Sequence, residues 1–254
     1  MQLSEFTNRL DDELRTGAYA DLDASANGLQ VESESETVDH VAFAVDAATA
    51  TVEAAVDAGA DVLVTHHGVV WGGMERLTGE HYRRIAPLVR NDVALYVSHL
   101  PLDGHQELGN AAGVGDVLGL RRRRPFGEVG TETIGQRGLT SDPLSVAEVR
   151  DRLDDLPGAV TETQVLDFGP EAVEDVAIVT GGGADWLDEA VDAGVDAFVT
   201  GEGKQKVYHK ARETSVNVFL AGHYATETFG VRALQDRADE WELETTFLDH
   251  PTGL

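Results

Sequence analysis

The amino-acid sequence predicts an α/β protein of two related lobes from an internal duplication, with mostly parallel, mixed sheets flanked by helices. Strand patterns alternate with helix patterns along the chain, which is typical of parallel sheets covered on both faces. Short apolar runs such as residues 61–65 are rich in β-branched side chains and too short for helices, so they indicate buried parallel strands. Residues 41–68 also align without a gap on residues 176–203, which indicates the duplication.

A second pair of segments extends the duplication. When residues 93–103 are aligned with 217–227, His99 falls on His223 and Asp103 on Glu227. Both segments then consist of an apolar strand, a histidine, three further residues and a carboxylate. From the chain length and this repeat we predict one two-lobed domain over residues 1–254, with repeat halves at about 38–120 and 173–240.

The elements of the first half follow from hydrophobic periodicity and from turn residues. The first helix is predicted because four apolar side chains share one face: Leu3, Phe6, Leu10 and Leu14. Gly59 is predicted to end the Ala-rich second helix. We expect helices at 3–16, 47–58, 79–91 and 107–118, and strands near 29–32, 38–45, 61–65 and 93–98.

The elements of the second half are predicted in the same way. Ser145 and Glu148 have the spacing of a capping box, which places the start of a helix at residue 145. We expect a strand near 133–139, a helix at 145–155, a second strand–helix–strand pattern from 176, a helix at 227–240 and a last strand within 244–250. Glu227 is expected to open the last helix, and Asp103 to lie on a loop closed by Pro101.

The charge of the chain restricts the classes of partner. The formal net charge is −27, from 46 Asp and Glu against 19 Lys and Arg, and there is no Cys. Such acidity resembles the proteins of salt-accumulating archaea, and it argues against a broad nucleic-acid-binding face. The run Arg121 to Arg124 is the one candidate for a basic binding patch, but a solvated turn paired with neighbouring acids is the favoured interpretation. With no apolar span and no signal peptide, we expect a halophilic cytoplasmic protein without a membrane partner.

The lysines are concentrated in one place. The three in the chain, Lys204, Lys206 and Lys210, follow the TGEG turn at the end of the second repeat. A mobile point cation there suits a phosphate or another anionic small molecule, which makes Lys204 and Lys206 candidate substrate-binding residues. The alternative is that these lysines neutralise an acidic lobe or a subunit interface. Both interpretations stay open.

Metal-binding residue types follow several predicted strands. Ligands of α/β folds gather beyond the carboxyl ends of the strands, where the sequence places His66, His67, His99 and His223. With Asp103 and Glu227 they form a nitrogen and oxygen set suited to zinc, iron or manganese. Adjacent histidines point in different directions, so His66 and His67 are expected to reach two ions. The alternative is that all of these are ordinary polar loop residues.

The remaining histidines have weaker patterns. His40, His81 and His250 are expected at surface or packing positions. His105 and His209 lie near the candidate site in sequence, where a solvated loop is the simpler interpretation and a contact to ligands or substrate is the alternative.

Three stretches together resemble the NIF-three-like family, whose members are often called GTP cyclohydrolase I type 2 homologues. They are GADVLVTHHGVVWGG, HLPLDGHQELGNAAGVGDVLGL and TGEGKQKVYH with AGHYATE, and NGLQV near the N-terminus fits as well. The resemblance covers essentially the whole chain. It implies a two-lobed α/β protein that forms toroidal homohexamers with two divalent metal ions (zinc, iron or manganese) per chain.

The resemblance also implies residue roles. Carried across position by position, the metal ligands are His66, His67, Asp103, His223 and Glu227, with Glu227 bridging the ions. His99 matches a family histidine close to the centre. The family name implies attack of a metal-activated water on C8 of the guanine of GTP with loss of formate, and no side chain is assigned as catalytic. We expect a metal-dependent hydrolase acting on a nucleotide or phosphorylated substrate; the alternative is a non-catalytic metal-binding hexameric scaffold or regulator.

Overall fold

The computed structural model of the protein describes all residues from 1 to 254 and contains two compact units. The first unit comprises Met1–Leu102 and Gly230–His250, and the second unit comprises Asp103–Phe229 and Pro251–Leu254. Each unit has its own mixed sheet with helices packed on it, which confirms the predicted α/β class. None of the helices is both long and apolar enough to cross a membrane.

Helices and strands alternate along most of the chain. The helices are α1 (Leu3–Leu14), α2 (Thr49–Asp57), α3 (Gly79–Arg90), α4 (Leu100–Asp103), α5 (Asn110–Leu118), α6 (Val146–Asp154), α7 (Leu187–Ala193), α8 (Gln205–Thr214), α9 (His223–Thr226) and α10 (Thr228–Glu240). The strands are β1 (Gly28–Val31), β2 (His40–Asp46), β3 (Val62–His67), β4 (Ala94–Val97), β5 (Arg121–Val129), β6 (Glu132–Ser145), β7 (Gln164–Leu166), β8 (Ala172–Ile178), β9 (Ala197–Thr200), β10 (Asn217–Leu220) and β11 (Glu244–Phe247).

The sheet of the first unit has the strand order β1-β4-β3-β2-β11. Strands β2, β3, β4 and β11 run parallel, and β1 pairs antiparallel with β4 at one edge. The side chains of β3 and β4 are buried on both faces of the sheet, as expected for parallel strands between layers of helices. The carboxyl ends of β2, β3 and β4 therefore meet at one edge of a rigid core.

The sheet of the second unit has the strand order β5-β6-β8-β9-β10-β7. Strands β8, β9 and β10 run parallel, β7 pairs antiparallel with β10, and β6 joins β5 to β8 through two antiparallel ladders. Both units thus contain three parallel strands in chain order, with an antiparallel strand beside the third. This shared topology agrees with the internal repeat, although the limits of the repeat halves stay a prediction.

The first two strands of each repeat have the same register. Val41 lies opposite Val62, and Val176, its partner in the sequence alignment, lies opposite Ala197. The gapless alignment of residues 41–68 on 176–203 therefore also describes the two ladders.

The pairing register of the third parallel strand, β4 in the first unit and β10 in the second, differs by one residue from the sequence alignment. Val62 lies opposite Ala94, whereas Ala197 lies opposite Asn217, which the sequence alignment had paired with residue 93. By ladder position, His99 therefore corresponds to Gly222, and His223 comes one residue later. The predicted equivalence of His99 and His223 is wrong at the level of the backbone because Gly222, with a φ of 91°, adds one residue before the histidine.

Several predicted elements have different limits. Arg121 to Arg124 begin β5 instead of forming a turn, because a charged edge strand remains solvated on its open side while β6 pairs with the other. Asp103 ends a four-residue helix and is not on a loop. Glu227 follows α9 and immediately precedes α10. The capping box of Ser145 and Glu148 is confirmed.

Candidate metal centre

The two adjacent histidines end β3 and are held by neighbouring strands. His66 is fully buried, and its Nδ1–H donates to the carbonyl oxygen of Ser98 at 2.9 Å. His67 is partly exposed, and its Nδ1–H donates to Oδ1 of Asp46, the last residue of β2, at 2.8 Å. Because carbonyl and carboxylate oxygens only accept hydrogen bonds, both rings carry their proton on Nδ1. In both rings, Nε2 is the nitrogen that suits a metal ion.

The third histidine of the first unit, His99, follows β4 and is held more tightly. Its Nδ1–H donates to the carboxylate of Asp23 at 2.9 Å, and its backbone N–H donates to Oδ1 of Asn27 at 2.7 Å. The Asp23 side chain is only 2% exposed. Burial raises the pKa of Asp23, but hydrogen bonds from His99, Asn27 and the Ser25 N–H outweigh burial and lower its pKa from 3.8 to about 2. Asp23 is therefore ionised and orients His99.

The three histidines of the first unit form one cluster. Their ring centroids lie 4.7 Å apart for His66 and His67, 5.1 Å for His66 and His99, and 5.6 Å for His67 and His99. One ring nitrogen from each lies within 4.8 Å of the other two. Three imidazoles whose Nδ1 atoms are all engaged provide a nitrogen set suited to zinc or another late divalent metal.

The second unit places two buried carboxylates close together. Asp103 and Glu227 are 7% and 3% exposed, and their carboxylate oxygens lie within 4.8 Å of each other. Oδ1 of Asp103 accepts hydrogen bonds from Asn110 at 2.8 Å and Thr180 at 3.3 Å. Two buried carboxylates this close repel each other unless a proton or a cation compensates them. Their arrangement therefore fits a divalent cation.

His223 lies beside Glu227. Its Nε2 is 3.1 Å from Oε2 of Glu227, and its Nδ1 is 3.5 Å from Oε1 of Glu202. A Cβ at position 181 would collide with Oε1 of Glu227, so only glycine leaves room for this carboxylate. Gly181 also has a φ of 55°, a conformation that glycine adopts without strain.

All three lysines pair with acids of the second unit. The Nζ atoms of Lys204 and Lys206 lie 2.5 and 2.6 Å from the carboxylate of Asp185, and Lys210 lies 2.5 Å from Asp188. The hydrogen bonds from Lys204 and Lys206 lower the pKa of Asp185. Lys204 precedes α8 and also lines a surface cavity of about 290 Å³ with Tyr208. The assignment of Lys204 and Lys206 to a substrate stays a prediction.

The weaker histidines have local roles. His40 Nε2 lies 2.9 Å from the Thr246 hydroxyl oxygen, where it joins β2 to β11. Nδ1 of His105 accepts the backbone N–H of Leu108 at 2.9 Å within a turn. His209 lies on α8 beside the ring of Tyr208.

Sequence reasoning missed the residues that orient the ligands. Asp46 directly follows a predicted strand, so its position in the sequence could have indicated that it lies near the candidate site. Asp23 and Asn27 lie in an irregular loop more than 70 residues from His99, at separations of 76 and 72. Their role appears only when the fold brings the loop to the end of β4. Glu202 lies within the TGEG turn, and its contact with His223 depends on the fold and not on a local pattern.

Comparisons with known proteins place the chain among archaeal and bacterial relatives. The model of the Duf34/NIF3 (NGG1p interacting factor 3) family matches residues 1–252. A Halobacterium salinarum protein named GTP cyclohydrolase 1 type 2 homolog is 58% identical over 255 residues, and an Archaeoglobus fulgidus protein of the same name is 43% identical over 255 residues. Each alignment covers 100% of both chains. The crystal structure of a Thermus thermophilus protein has 39% identity and a TM-score of 0.90, with 100% of both chains covered.

Proposed function

The chain belongs to the Duf34/NIF3 family, and from this premise we propose that it binds two divalent transition-metal ions, zinc, iron or manganese. The proposed ligands are those that the motifs indicate: His66, His67, Asp103, His223 and Glu227. We add His99, because one of its ring nitrogens lies within 4.8 Å of those of His66 and His67.

The observation that supports this proposal most strongly is the orientation of the three histidines. Each Nδ1 is engaged by an oxygen atom, from the Ser98 carbonyl, Asp46 or Asp23. Such hydrogen bonds fix the tautomer and the ring orientation that metal-binding histidines need. A histidine that only packs in a core needs no carboxylate partner, and two of these three have one.

Asp103 and Glu227, both in the second unit, are the proposed oxygen ligands. Asp103 and Glu227 lie close in sequence to the points where the chain passes from one unit to the other, after Leu102 and after Phe229. The family motif, in which Asp103 and Glu227 belong to the same ligand set as His66, His67 and His223, supports the proposal that both carboxylates are metal ligands.

The function that these residues support best is metal-dependent hydrolysis of a nucleotide or another phosphorylated substrate. Metal ions bound there would supply Lewis-acid activation of a water molecule and of the electrophile. The proposed ligands would hold the ions, and Asp23 and Asp46 hold His99 and His67 in place. GTP is the first substrate to test, because curated relatives that cover the whole chain are named GTP cyclohydrolase 1 type 2 homolog.

The anionic part of the substrate would be bound by Lys204 and Lys206. To do so, these lysines must exchange Asp185 for a phosphate, which is feasible because both side chains are more than half exposed, at 53% and 61%. The same ion pairs favour the other candidate function, a non-catalytic metal-binding scaffold or regulator. In that function the lysines only neutralise acidic neighbours.

We also propose a cytoplasmic homohexamer in a salt-rich cell. The net charge of −27 and the 58% identity to a Halobacterium salinarum protein support adaptation to salt. The hexamer is what the family resemblance implies.

Metal analysis of the purified full-length protein tests the proposed centre. We expect close to two transition-metal ions per chain after purification in high salt or titration, about 3–4 Å apart by anomalous diffraction. Glu227→Ala should lose metal and any GTP turnover, whereas His209→Ala, which changes a histidine on α8, should lose neither. Absence of metal uptake by the wild type would contradict the centre. Two bound ions without turnover on a nucleotide and phosphoester panel would favour the scaffold.

A further inference from the structure

Trp71 is an exposed aromatic residue that the structure nevertheless holds in place. It is 42% exposed, although indole rings usually lie mostly buried. Its Nε1–H donates to the carbonyl oxygen of Gly68 at 3.2 Å, and its backbone forms an isolated bridge with Ser25. The next residue, Gly72, donates its N–H to the carbonyl oxygen of Ala24 at 2.7 Å. These contacts therefore hold the indole ring of Trp71 at a solvent-exposed position.

This ring lies beside the histidine cluster of the first unit. The Trp71 centroid is 4.9 Å from that of His99, with an angle of 77° between the ring planes. It is 6.1 Å from the centroid of His67, with an angle of 45°. The indole ring therefore lies next to two of the three histidines of the cluster.

Packing alone does not account for this arrangement. Trp241, in the same unit, packs edge-to-face on Phe6 at 5.9 Å and takes the Arg9 guanidinium over its ring at 5.3 Å, as a tryptophan used for stability does. Trp71 also makes an edge-to-face contact, with His99, but 42% of it remains exposed to solvent. When a planar ligand ring stacks on an aromatic side chain that is already ordered, the side chain loses little conformational entropy.

We propose that Trp71 is the stacking platform for a planar heteroaromatic ring, such as a purine base, of the ligand that binds at the candidate metal centre. The proposal rests on the proposed function, because it specifies which part of a nucleotide the protein recognises on the histidine side. Trp71 is then a specificity-determining residue: it selects ligands with a base over ligands that offer only phosphates.

The test compares two probes that differ in the base. Binding of GTP and of inorganic tripolyphosphate is measured by calorimetry on the full chain, both loaded with Zn²⁺ and metal-free. The variants are Trp71→Leu, which keeps apolar bulk without a ring, and Trp71→Phe, which keeps a smaller ring. Tyr82→Leu is the matched control, because Tyr82 is an aromatic residue of the same unit with 45% exposure whose ring contacts Arg90.

Loss of a base stack should weaken GTP binding by at least about fivefold in Trp71→Leu, with a smaller loss in Trp71→Phe. Tripolyphosphate affinity should change less than about twofold, and Tyr82→Leu should leave both affinities unchanged. Equal losses for both probes, an unchanged GTP affinity, or no GTP binding by the wild type would overturn the stacking role. Zn²⁺ content is measured on every sample, so a wild type that binds GTP but no metal refutes the proposed centre and leaves the stacking result readable.

Discussion

Among single residues, Asp23 best illustrates how the protein fixes the orientation of a candidate metal ligand, the ring of His99. Its nearly buried carboxylate accepts hydrogen bonds from the ring of His99 and from the backbone N–H groups of Ser25 and Leu100. Hydrogen bonds from His99, Asn27 and the Ser25 N–H keep its pKa at about 2, so the carboxylate stays ionised and the His99 proton stays on Nδ1. An ionised partner also makes the imidazole a better electron donor to a metal ion.

The change Asp23→Asn tests this role at the residue scale. An amide keeps the shape of the side chain but loses the charge, so His99 should become a weaker ligand. We expect metal affinity to fall by about ten- to a hundredfold in a competition titration against a chelator. Asp21→Asn, an exposed neighbour in the same loop, is the control and should bind metal as the wild type does. An affinity of Asp23→Asn within about threefold of the wild type would contradict the role.

The sequence could predict the candidate ligands but not the residues that orient them. His66, His67 and His99 stand directly at the ends of apolar runs, and in a parallel sheet such ends meet at one edge. Asp23 is different, because its contact with His99 depends on where a loop far away in the chain folds back. No local pattern contains that information. For the same reason, no local pattern indicates that position 181 requires glycine, because that requirement comes from the nearby carboxylate of Glu227.

At the scale of elements, the core strands and the capped helices were predictable, and the irregular segments were not. Strands β3 and β9 are short, apolar and β-branched, and the cap of α6 is read directly from Ser145 and Glu148. Strand β5 was missed because its four arginines have no alternating pattern, and its place depends on pairing with β6. Strand β7 has only three residues, too few for a periodic signal.

The turn from β9 into α8 supports a prediction about the lysines. If Lys204 and Lys206 bind the phosphates of a substrate, Lys204→Gln with Lys206→Gln should weaken GTP and tripolyphosphate binding at least about tenfold without removing metal. Lys210→Gln removes a similar ion pair, with Asp188, and serves as the control. Calorimetry measures the affinities, and sedimentation follows the assembly. An unchanged affinity with a less stable oligomer would instead identify the lysines as neutralising residues.

At the scale of the whole molecule, the net charge predicts the salt concentrations at which the proposed hexamer would form. A net charge of −27 opposes association of identical chains unless salt screens it. The screening length is about 3 Å in molar salt but about 30 Å at 0.01 M. Repulsion between subunits of the proposed hexamer would therefore be short-ranged in molar salt and would extend across a whole interface in dilute buffer.

We accordingly expect a hexamer in molar salt that dissociates as salt is removed. Multi-angle light scattering across a salt series measures the mass of the assembly. A parallel series in sucrose at matched osmolality separates charge screening from general exclusion of solute. A stable monomer at high salt would refute the proposed hexamer, and a hexamer that persists at low salt would show that repulsion does not govern assembly.

Gly181 has a consequence for how the chain can change by mutation. It stands three residues beyond Ile178, as Asp46 stands three residues beyond Phe43, and these two strand positions share one ladder register. One repeat thus has a carboxylate that holds His67, and the other has a space that admits Glu227. Aspartate and glycine codons can differ by a single base. A single mutational step therefore separates a position that orients a candidate ligand from one that makes room for a candidate ligand.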